Sequence, residues 1–119
     1  MSYEIRSSPE SLQKILAGYD EETEKKMRVL TYPVLADMII QDVLKKLEKD
    51  YHENHTNNDE LIIDSLSALS YIKDRAVEGS DEILEKINRY TKKLPRFANS
   101  DSVRYEINRI NMHTMPREY

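Results

Sequence analysis

Cysteine and tryptophan are absent from this 119-residue chain, glycine occurs twice, proline four times and phenylalanine once. Without cysteine there is no disulfide scaffold, no thiolate zinc site and no cysteine nucleophile. The same absence fits a reducing compartment, and a cytoplasmic location is expected. With Gly18 and Gly79 as its only glycines, the chain has little means of making tight β-turns and no glycine-rich loop to cradle a phosphate. No Gly-x-Ser-x-Gly elbow and no His-Glu-x-x-His pair occurs, so hydrolytic chemistry finds no motif. No apolar run approaches the ~18–20 residues that span a bilayer, and the opening MSYEIRSSPESL lacks a signal-peptide core. No membrane partner and no cofactor is expected.

Charge and amphipathic pattern are what the chain does have. Charged residues make up 34% and hydrophobic residues 39%, with a net charge of −4. This suits helices with a solvated outer face and one apolar stripe. The most complete helix is Asn58 to Gly79. Asp59 is placed to cap its start, Gly79 to end it, and Ile62, Leu66, Leu69, Ile72 and Ala76 form its stripe. Ser65, Ser67, Ala68 and Ser70 are small enough to let neighbouring helices come close. Leu61 and Val77 widen the apolar side. This is the expected central helix.

Around it, Ser8-Pro9-Glu10 starts a first helix with Leu12, Ile15, Leu16 and Tyr19 inward, ended or bent at Gly18. Asp20-Glu21-Glu22 starts a second helix or continues the first. Tyr32-Pro33 is the clearest internal boundary, since a residue before proline leaves helical geometry. A long helix is expected from Pro33 to Tyr51. HENHTNND is a polar break. Asp81 to Leu94 should form a hairpin partner of the central helix through a Gly79-Ser80 connection, with Ile83, Ile87, Tyr90 and Leu94 inward. A last helix, capped by Ser100 or Asp101, turns Val103, Ile107 and Ile110 to the core. The reading is one all-α domain, a small helical bundle of four to six helices over residues 1–119, with a flexible leader (1–7) and tail (112–119).

Three constellations bear on function. Glu48, His52, His55 and Asp59 fall at i, i+4, i+7 and i+11, a spacing that lines up metal ligands if one helix runs through all four. The asparagines of the polar break argue against such a helix, and no metal site is assigned. Arg109 and His113 resemble the Arg-x4–6-His motif of HEPN-type ribonucleases, which implies an RNA-cleaving pair within a helix. Here three residues intervene and His113 lies near the chain's end, so neither residue is assigned a catalytic role. Third, Lys86, Arg89, Lys92, Lys93, Arg96, Arg104 and Arg109 oppose only Asp101 and Glu106 within 86–109. That is a local charge of +5, leaving −9 for the remainder. Tyr90, Phe97 and Tyr105 are interleaved with the bases. Basic and aromatic residues together can dock an acidic protein surface or grip phosphates and stack bases. Equally, Lys92 and Lys93 complement the negative end of a helix while Tyr90 packs in the core. The leading expectation is a non-catalytic protein-interaction module, with a protein partner or self-association. Nucleic-acid binding through 86–109, using Phe97 and Tyr105, is the alternative, and a metal-dependent helical enzyme stands third.

Overall fold

A computed structural model describes the backbone of residues 7–114 and the side chains of residues 7–110. Six α-helices make up the described chain: α1 (Pro9–Ala17), α2 (Glu21–Arg28), α3 (Tyr32–Glu53), α4 (Asp59–Arg75), α5 (Ser80–Lys93) and α6 (Asp101–Thr114). A single 3₁₀ turn, Pro95–Phe97, joins α5 to α6. No strand occurs among the described residues, and none of their helices is long and apolar enough to cross a membrane. The expected all-α bundle is the fold.

Helices α3, α4 and α5 pack against one another, α1 lies on α4, and α6 lies on α5. The core therefore centres on α4, which buries Ile62, Leu66, Leu69 and Ile72. Its small residues do what their size suggests. Ser65, Ser67 and Ala68 are buried, and the backbone N–H of Ser8 donates to the carbonyl of Ser67, so the start of α1 sits directly on the α4 backbone. The inner stripe of α5 is buried throughout, as are Ile15, Leu16, Val103 and Ile107. Helix α2 is separate from α1. Asp20 caps it by accepting from the N–H of Thr23, and it anchors through Met27, which is fully buried.

Two ends differ from expectation. The cap of α4 is Asn58, whose side chain accepts from Leu61 N–H. Asp59 instead accepts from the backbone N–H groups of Asn99 and Ser100 at 2.7 and 3.0 Å. A tertiary contact recruits the acid and leaves the capping to its neighbour. At the other end α4 stops at Arg75, not at Gly79. Gly79 is the N-cap of α5 in a left-handed conformation with φ of 79°. A Cβ there would lie 2.8 Å from Cγ of Pro33, so glycine suits both the backbone angle and the close approach. The α4–α5 connection is thus residues 76–79, and Val77 faces solvent instead of widening the core face. Helix α6 continues to Thr114, into the region read as tail. Residues 1–6 of the leader and 115–119 lie outside the described residues.

Candidate functional site

Helices α3 and α5 run in the same direction, with Asp37 beside Lys86 near one end and Glu48 beside Arg96 at the other. A groove follows their seam. One half, about 210 Å³, is lined by Asp37, Ile40, Gln41, Leu44, Lys86, Arg89, Tyr90 and Lys93. The other, about 620 Å³, is lined by Leu44, Glu48, Lys92, Lys93, Pro95, Arg96 and Phe97. Leu44 and Lys93 belong to both, which makes the two halves continuous. Asp37, Gln41, Leu44 and Glu48 recur at three- to four-residue spacing and so form one row down α3. Lys86, Arg89 and Lys93 form the facing row on α5. Ile40, Leu44, Tyr90 and Phe97 lie lower and give an apolar floor beneath the charges.

Most of the predicted basic residues are already engaged. Lys86 Nζ lies 3.4 Å from Asp37 and 4.0 Å from Glu82, and Arg89 pairs with Glu85 one turn earlier. Arg96 bridges to Glu48 at 3.0 Å while its guanidinium sits 4.5 Å above the ring of Phe97. Arg104 binds Asp101 and the carbonyl of Ala98. Arg109 binds the buried Glu106. Lys92 and Lys93 are exposed and make no ion pair among the described residues. The groove therefore gathers Lys86, Arg89, Lys92, Lys93 and Arg96, whereas Arg104, Arg109 and Tyr105, all on α6, do not line it. Of the two rings read as available for stacking, Phe97 is only 1% exposed and meets Tyr51 edge-on at 5.9 Å. Its face is core. Tyr105 is 67% exposed.

The metal-like spacing does not assemble. Glu48 is taken by Arg96, Asp59 accepts from Asn99 and Ser100, and His55 lies beyond the end of α3 with a φ of 52°. His52 is exposed. No group of three histidines, aspartates or glutamates among the described residues is placed to hold a metal ion. For the Arg109–His113 pair, the backbone is helical through both positions, and the side chain of His113 lies outside the described residues.

A second cleft, about 310 Å³, opens between α1, α3 and α4 and was not foreseen from sequence. Tyr19 Oη donates to Asp42 Oδ2 at 2.6 Å inside it. Burial, and then the adjacent Asp42, push the Tyr19 phenol well above the ordinary tyrosine range, so it stays a protonated donor and is no base. Asp64, with 20% of its side chain exposed and Lys14 at 3.9 Å, has its carboxyl raised by loss of water. The one available signal was that a packed tyrosine ring needs a partner for its hydroxyl. The raised Asp64 carboxyl has a sign. The folded state holds this proton more tightly than the unfolded chain, so its contribution is lost as pH rises from the usual carboxylate value through the raised one. Asp64→Asn is therefore expected to gain in melting temperature over wild type more at pH 7 than at pH 3. Thermal melts followed by circular dichroism across that range test this, and an equal difference at both ends would refute it.

Compared with protein families, curated proteins and solved structures, the chain matches none of them.

Proposed function

We propose that the protein is a non-catalytic interaction module whose α3–α5 groove receives an acidic, amphipathic segment of a protein partner. The observation that carries this reading is the partly exposed Leu44 on the groove floor beside Lys92 and Lys93, whose ammonium groups make no ion pair among the described residues. From Asp37 to Glu48 the groove follows α3 for about 16 Å at 1.5 Å per residue, the length of three turns of a bound helix. Such a helix would set aliphatic side chains over Leu44 and carboxylates beside Lys92 and Lys93, the helix-in-groove mode of recognition. The Lys86–Asp37 and Arg96–Glu48 pairs tie the two walls together near either end, so their spacing is set before a partner arrives and less ordering is needed on binding.

Nucleic acid is supported less well. Stacking requires exposed rings beside the bases, but Tyr90 and Phe97 are buried and Tyr105 lies off the groove.

The test compares wild type with Lys92→Glu/Lys93→Glu, which reverses two exposed charges without breaking an internal pair. Each is used to capture partners from lysate, and the eluates are divided for mass spectrometry and for nuclease-sensitive nucleic-acid staining. An acidic segment of a captured protein, prepared as a peptide, should bind purified wild type and lose at least tenfold in affinity for the variant. Circular dichroism should show the variant folded, although two carboxylates at the negative end of α5 cost it about 1–2 kcal/mol. Capture of nucleic acid that the variant loses would favour the alternative. A peptide that binds both proteins equally would remove the groove from the reading.

A further inference from the structure

The end of the bundle where α2 turns into α3 and α4 into α5 carries the most exposed apolar side chains of the described chain. Val77 is 97% exposed and Val29 83%, where ordinary surface patterning places polar residues. Val77 does not sit on a loose loop. The N–H of Ala76 just before it bonds to the carbonyls of Ile72 and Lys73, and Gly79 just after it is packed against Pro33. The result is a fixed apolar knob. It borders a cleft of about 710 Å³ whose other walls are Thr31, Tyr32 and Pro33. Arg75 and Glu78, on either side of Val77, line the same cleft. Neither makes an ion pair among the described residues, although Arg75 leans over the ring of Tyr71 at 5.9 Å.

We infer that this patch joins two copies of the chain about a two-fold axis, each Val77 entering the other's cleft and each Arg75 meeting the other's Glu78. A two-fold interface must be complementary to itself. A knob beside its own cleft, flanked by one cation and one anion that have no ion-pair partner among the described residues, meets that condition, whereas a patch shaped for a charged foreign partner would show an excess of one sign. None of these residues lines the α3–α5 groove, so the inference does not depend on the groove's occupant.

Sedimentation velocity over a wide concentration series tests it. The weight-average mass of wild type should rise toward twice the monomer mass. Val77→Asp should remain monomeric at every concentration with an unchanged melting curve, since Val77 is almost fully exposed. Arg75→Glu and Glu78→Arg should each be monomeric alone, because each sets like charges against one another across the axis. Mixed in equal amounts they should associate, since every contact across the axis then pairs opposite charges. A wild type that stays monomeric at the highest concentration overturns the inference. So does a Val77→Asp protein that still dimerises, or a mixture that fails to associate.

Discussion

Phe97→Ala is expected to lower the unfolding free energy by about 3–5 kcal/mol, the usual cost of emptying a buried phenylalanine site. Phe97 is 1% exposed. It sits on the 3₁₀ turn where the chain leaves α5 for α6, so its ring is held between Tyr51 and the guanidinium of Arg96 with little freedom to collapse inward. A domain of this kind has about 5–15 kcal/mol in total, and a loss of that size would leave it marginal at room temperature. Urea denaturation gives the number. If the ring instead served to stack on bases, the same substitution would change stability by no more than about 0.5 kcal/mol and would show itself in nucleic-acid binding. The two outcomes do not overlap.

Ser65→Ala is expected to cost about 1–3 kcal/mol, more than Tyr90→Phe, and the double variant less than the sum of the two. Both residues are buried on facing helices, with Ser65 Oγ and Tyr90 Oη 2.6 Å apart. Ser65 also donates to the carbonyl of Ile62 at 2.8 Å. Its single hydrogen being used there, Tyr90 is the donor to Ser65. Removing the serine hydroxyl thus leaves a buried phenol with no acceptor, whereas removing the phenol leaves Ser65 still bonded to Ile62. Burial raises the Tyr90 phenol far above the ordinary tyrosine value. Its contribution is therefore fully present below about pH 10 and falls away above it. Wild type should lose more stability than Tyr90→Phe between neutral and strongly alkaline pH. Strict additivity in the denaturation cycle would show that the two hydroxyls do not share a bond.

The fold was largely legible because its signals are local. Pro9 and Pro33 each mark a turn into helix, and the three- to four-residue spacing on α5 picks out Ile83, Ile87, Tyr90 and Leu94, all of them buried. The misplaced ends failed for tertiary reasons. Asn58 and Asp59 are both competent caps, and the choice between them follows from Asn99 and Ser100, some forty residues on. A glycine between two helices can end the first or begin the second. Pro33 against Gly79 decides it here. The charge asymmetry of 86–109 was visible, but its neutralisation by Asp37 and Glu48 was not, because those acids lie on another helix. The Tyr19–Asp42 bond was hidden for the same reason.

The seating of α1 on α4 sets an order of events during synthesis. Ile15 and Leu16 emerge from the ribosome before the surface that covers them, which belongs to a helix made after α2 and α3. Until Asp59–Arg75 has left the exit tunnel, the first helix carries an uncovered apolar face. An uncovered apolar face is what draws incompletely folded chains together, so the interval before α4 emerges is the one most open to aggregation.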